Sequence, residues 1–144
     1  MPAAPLPSEL ERFLSAPRAA VVAVAGAAGH PVSAATWYLY AEGRVLLSMV
    51  RDGLRHRHLV ADPRVSLTVL ADDWYSHVTV LGRLAELRDD ADLVEIDRIS
   101  RHYRGVAYHD RSSALVTAVV AVGRWYSYGR PGDAPDAVRS SVER

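Results

Sequence analysis

At 144 residues and 49% hydrophobic, the chain is long enough to form one globular domain with a real core. Its 17 basic and 17 acidic residues cancel and are interspersed, which argues against nucleic acid as a partner. Every basic residue is arginine and cysteine is absent. Disulfides, thiolate nucleophiles, cysteine metal sites, Schiff-base lysines and a Walker-type phosphate lysine are therefore excluded.

Residues 1–7 read as a proline-rich arm ahead of a domain spanning 8–129, with a tail at 130–144. The start has neither the charged n-region nor the apolar h-region of a signal peptide. The longest apolar runs, 19–28 and 114–122, fall far short of the ~20 residues that a membrane helix needs. A soluble cytoplasmic protein with no membrane partner is expected.

Ser8 is placed to cap a short helix over 9–14, whose Leu10, Phe13 and Leu14 share one face. A β-rich run at 19–25 lies between Pro17 and Gly26, and after a turn a second strand is predicted over 32–40. The stretch from Arg44 to Leu87 then organises the rest. It reads as a strand at 44–50, a short basic helix, a strand at 64–71, an Asp72-Asp73-Trp74-Tyr75 turn and a strand at 75–87. Spacing predicts a helix over 89–103 and a last long strand over 113–128. Six strands and three helices without βαβ alternation argue for an α+β fold, mainly antiparallel, with the sheet curled into a barrel. Residues 114–122 are apolar on both alternating faces. A second copy covering the outer face predicts a two-fold homodimer; the other reading is a strand held between the core and a helix of the same chain.

Little in the sequence carries chemistry by itself. The paired acids Asp72-Asp73 and Asp89-Asp90 fall in a turn and at a helix start, where capping explains them better than acid–base catalysis. The six histidines show no metal-ligand spacing, so no metal site is expected. No G-x-S-x-G elbow occurs, and Gly26 to Gly29 leads into another strand instead of a helix. A bound cofactor would have to supply the chemistry.

Two groups of residues suit such a cofactor. Arg51, Arg55 and Arg57, with His56 and His58, cluster on the basic helix, for which Asp52 is the expected N-cap. That set suits a phosphate, and it equally describes a solvated helix face. Trp37, Tyr38, Trp74, Tyr75, Trp125, Tyr126 and Tyr128 recur at strand ends, where they suit a planar ring or, singly, the core. His77 falls at the rim of the Trp74-Tyr75 turn or faces solvent.

Several spaced motifs across residues 8–128 carry a likeness. These are Gly29-His30-Pro31, Trp37-Tyr38, Gly43 with the strand ending at Ser48, Arg57-His58-Leu59, Asp62-Pro63-Arg64 and Gly82-Arg83. Together they resemble the pyridoxamine 5'-phosphate oxidase-like split barrels, and within them the actinobacterial branch that uses the deazaflavin coenzyme F420. Relatives usually carry lysine where Arg55 stands and asparagine where His58 stands. The resemblance implies a six-stranded split barrel with short flanking helices, dimeric, with cofactor at the subunit boundary. It also implies hydride transfer between reduced F420 and an unsaturated small-molecule substrate. The candidate cofactor-binding residues are Trp37, Ser48, Met49, Val50, Arg55, Arg57, His58, Tyr75 and His77. The alternatives on the same scaffold are an FMN-dependent oxidoreductase, a non-catalytic carrier or sensor of deazaflavin, flavin or haem, and a domain with a vestigial pocket.

Overall fold

The computed structural model describes residues 5–129 and 139–140. The remainder of the expected arm and tail lies outside the described residues. Helix α1 (Ser8–Ser15) buries Leu10, Phe13 and Leu14, the expected face. Its N-cap is Pro7, so Ser8 begins the helix and does not cap it. Strand β1 (Ala20–Ala25) turns at Ala27–Gly29 into β2 (Pro31–Thr36).

The strand predicted over 32–40 is broken, because β3 covers only Leu39–Ala41. The break has a side-chain cause at Trp37-Tyr38. Tyr38 turns inward, where its hydroxyl donates to the Leu14 carbonyl at 2.8 Å, and its backbone N–H goes to the Tyr103 hydroxyl at 3.3 Å. Trp37 points the other way, onto Tyr103.

Strand β4 (Arg44–Val50) leads through a turn into helix α2 (Leu54–Ala61), then β5 (Arg64–Leu70) and β6 (His77–Asp89). Helix α3 (Val94–Arg104) precedes the 14-residue β7 (Leu115–Tyr128), and β8 (Arg139–Ser140) pairs with β7 at Tyr126 and Ser127. The helix expected from residue 89 begins later, because Asp89 still pairs with Val116 in the β6–β7 ladder. Asp90 then caps α3, its carboxylate accepting the N–H groups of Glu95 and Ile96, both at 2.9 Å. This bears out the capping role read for Asp90, whereas Asp89 ends β6 and does not cap the helix. Asp73 does the same in its turn, accepting the Ser76 N–H at 3.0 Å.

The strands form one antiparallel sheet in the order β2-β1-β5-β6-β7-β4-β3, with β8 on β7. That makes eight strands among the described residues where six were expected, the additions being the split second strand and the two-residue β8. Residues from β1, β3, β4, β5, β6 and β7 meet in one buried cluster with Leu10, Phe13 and Leu14 of α1 and Leu59 of α2. The sheet is thus curled around a shared interior, as a split barrel requires. A bulge between Leu81 and Gly82 shifts the β6–β7 register, and a Cβ at Gly82 would collide with the Ala121 carbonyl.

Strand β7 answers the question posed by its apolar run. Leu115 to Val120 are all buried within the single chain. Val116, Ala118 and Val120 face the interior, while Leu115 packs outward with Leu39, Leu46, Ile96 and Ile99 beneath α3. The helix of the same chain covers the outer face there. The two-sided pattern therefore gives no ground for a dimer. Residues 31–35 of β2, by contrast, are exposed on both faces and lie at the sheet edge.

Candidate functional site

Ser48 and Val50 sit on the outer face of β4, opposite the side that carries Val45, Leu47 and Met49 into the core. They line a pocket of about 190 Å3 with Met49, Leu115 of β7, Ile96 and Ile99 of α3, Thr36, Trp37 and Tyr108. Trp37 forms its aromatic wall, held from behind by Tyr103 in a stack with centroids 5.2 Å apart. Tyr108 meets the Trp37 ring edge-on at 6.5 Å. The segment carrying Tyr108 is tied down by Asp97, which accepts the Tyr108 N–H at 2.9 Å and Arg111 Nη1 at 2.6 Å. Hydrogen bonds from Arg111 hold the Asp97 carboxyl below the usual carboxylate range.

Two hydroxyls near this pocket lack partners. Ser48 Oγ and Thr117 Oγ1 are buried without a hydrogen bond among the described residues, and their residues are register partners across β4 and β7. Such unpaired polar atoms are costly and mark a place where a ligand hydrogen bond is gained. Neither Tyr38 nor Tyr103 serves as a base at neutral pH. Burial raises the pKa of both phenols, keeping them protonated.

Helix α2 follows directly from β4 and packs against β4 and β1. Its N-cap is Gly53, not the expected Asp52. Asp52 adopts the left-handed conformation (φ 59°) and its N–H donates to His56 Nδ1 at 2.8 Å. Among the described residues, Arg51 is paired with Asp89 at 2.8 Å, whereas Arg55 and Arg57 form no salt bridge. Arg55 is half-buried, and desolvation lowers its pKa. Arg57 is exposed on the other side of the helix. His58 lies near Gly26, which follows β1, and its Nδ1 is buried without a partner among the described residues.

Of the nine candidate residues, Trp37, Ser48, Met49 and Val50 share one pocket, and α2 brings Arg55, Arg57 and His58 to the end of the same strand. Tyr75 and His77 do not join them. His77 pairs with Tyr128 at the far end of β7 from the Ser48–Thr117 pair. It lines a separate cavity of about 410 Å3 with Tyr126, Ser127 and Tyr128. Tyr75 reaches the same place, its hydroxyl 2.9 Å from that of Tyr128. Sequence reasoning missed Thr36, Ile96, Ile99, Tyr108, Leu115 and Thr117. Only Tyr108, an aromatic in a polar loop, carries a signal that singles it out.

Among the described residues, no three His, Cys, Asp or Glu side chains gather as metal ligands, and no helix is long and apolar enough to cross a membrane. The residues present do fit a flat, anionic organic cofactor. The pocket offers an aromatic wall and an orphaned hydroxyl, and the helix that follows β4 carries the half-buried Arg55, which forms no salt bridge among the described residues. At about 190 Å3 it holds part of such a molecule, since sites for whole ligands run from ~300 Å3 upward.

Solved structures share this fold. An F420 reductase is 18% identical with a TM-score of 0.73, the match covering 80% of this chain and 94% of that one. A conserved hypothetical protein from Mycobacterium tuberculosis is 21% identical at a TM-score of 0.68, covering 94% and 92%. General Stress Protein 26 from Bacillus anthracis is 12% identical at 0.64, covering 83% and 91%. At these identities the likeness is one of fold. No curated protein sequence matches the chain. The sequence profile described as pyridoxamine 5'-phosphate oxidase matches residues 6–128, and the chain belongs to that family.

Proposed function

We propose that this protein is an F420-dependent oxidoreductase of the actinobacterial branch, working as a homodimer in the cytoplasm on an unsaturated small molecule. The observation that carries the reading is the pocket of Trp37, Ser48 and Val50 at the end of β4, the strand from which the chain passes directly into α2 with its half-buried Arg55. When bound, the deazaflavin supplies hydride transfer. The chain's own residues bind, orient and exclude water. Arg55 holds the phosphate by charge-assisted hydrogen bonds, with Arg57 adding a more solvated charge. Ser48 Oγ donates to a polar ring edge, and Trp37, backed by Tyr103, fixes the plane. With Tyr38 and Tyr103 kept protonated, no strong side-chain base is assigned, which suits a reaction whose bond changes occur on cofactor and substrate.

The dimer completes the site in this reading. The pocket is too small for a whole tricyclic ring, and β2 leaves a two-sided exposed edge for a second subunit. Tyr75 and His77 of the partner subunit then supply the second half.

Titration with F420, read by deazaflavin fluorescence, tests the proposal. Binding at micromolar or lower concentration is expected, weakened about ten- to a hundredfold in Arg55→Ala and less in Arg57→Ala. Stoichiometric FMN in the purified protein, with no fluorescence change on titration, overturns the cofactor assignment in favour of a flavin enzyme. A protein that sediments as a monomer while binding F420 fully refutes the composite site.

A further inference from the structure

A cleft larger than the two described above lies elsewhere, on the outer face of β1, β5, β6 and β7. It encloses about 900 Å3, and three arginines, Arg64, Arg83 and Arg124, line it without any carboxylate among the lining residues. Its floor is made of small residues, Ala23, Ala25, Ser66, Gly82, Ala121 and Gly123, so the backbone is approachable over a broad flat area. The charges are arranged against the interest of the fold. Arg64 and Arg83 are register partners on adjacent antiparallel strands, where like charges destabilise a sheet. Arg124 stands opposite Leu81 on the next pair, beside the bulge at Gly82. The neighbouring acid, Asp62, is already occupied by Arg64, with contacts of 3.0 and 2.7 Å. Arg83 and Arg124 form no salt bridge among the described residues.

We infer that this cleft is a binding site for a flat organic anion, its planar apolar part lying on the small-residue floor and its anionic group between Arg83 and Arg124. An anion there offsets the concentrated positive charge and engages two guanidinium forks that form no salt bridge among the described residues. The inference rests on no part of the F420 reading, since none of these residues lines the Trp37–Ser48 pocket.

The test uses 8-anilinonaphthalene-1-sulfonate, a planar aromatic sulfonate whose emission rises on binding, and N-phenyl-1-naphthylamine, the same rings without the charge. The full-length protein is expected to bind the sulfonate at one site per chain, more tightly than the neutral probe. The doubly substituted Arg83→Ser/Arg124→Ser protein alters two exposed side chains and is expected to keep its circular dichroism. It is expected to bind the sulfonate at least about tenfold more weakly while leaving the neutral probe unchanged. Ala121→Tyr, which fills the floor, weakens both probes. Absence of sulfonate binding in the wild type, or binding within twofold of wild type in the double variant, overturns the inference.

Discussion

Asp90 is the residue whose removal best separates the architecture of the site from its chemistry. Its side chain is buried, and each carboxylate oxygen accepts one backbone N–H at the start of α3, from Glu95 and Ile96 at 2.9 Å. Asp90→Ala leaves both donors without a partner where water does not readily replace it. Hydrogen bonds to a charged acceptor contribute about 1.5 kcal/mol each at the lower end, so a loss of about 3 kcal/mol is expected. Asp90→Asn keeps one good acceptor and is expected to lose about half of that. Urea denaturation followed by circular dichroism reads the difference. With a slope of about 2 kcal/mol per molar urea, the midpoint falls by about 1.5 M for alanine. Because Ile96 and Ile99 form the wall over Ser48, ligand affinity falls with it. A midpoint for Asp90→Ala within about 0.3 M of wild type refutes the claim that this cap holds α3 in place.

The remaining predictions concern β7 and the surface. Val119 is 4% exposed within the single chain. Val119→Glu is therefore expected to abolish soluble folded protein, not to release a folded monomer, and size-exclusion chromatography distinguishes the two. Hydrogen bonds from Arg64 hold the Asp62 carboxyl at about 2. Since the folded state favours the ionised form, the associated stabilisation is present above the unfolded value of ~3.9 and is lost as pH falls towards 2. A carboxyl-resolved NMR titration is expected to find that midpoint near 2 and to see it rise towards ~3.9 in Arg64→Ala.

The sequence made the sheet legible because alternation and turn residues agree with one another along β1, β4, β5 and β6. It misplaced the elements where one side chain outweighs the local pattern. Tyr38 breaks a β-rich run by reaching for the carbonyls of Leu14 and Ala16. Asp52 takes a left-handed turn that its capping propensity does not announce. The two-sided apolar run in β7 is compatible with either a partner chain or α3, and nothing local distinguishes them. The half of the site on β4 and α2 could be read because its residues are close in sequence. The wall from Ile96, Ile99 and Tyr108 could not, since those positions look like ordinary helix and loop until α3 is laid across β4 and β7. Tyr75 in its turn and His77 at the start of β6 lie close in sequence, but one chain's topology puts them at the opposite end of β7.

The sheet order has a consequence for the history of each molecule as it is made. Strands β2, β1, β5 and β6 are contiguous in the sheet without β7, whereas β3 and β4 join them only through β7. Residues 44–50 must therefore wait for residues 115–121 to be synthesised before they gain their ladder. Until then the hairpin bearing Ser48 is a sheet fragment with an open edge, joined to the other strands by chain but not by ladder hydrogen bonds. Long-range pairing of this kind is slow and leaves apolar strands exposed meanwhile. A nascent chain halted before β7 would carry most of the candidate pocket's residues and none of its assembled geometry.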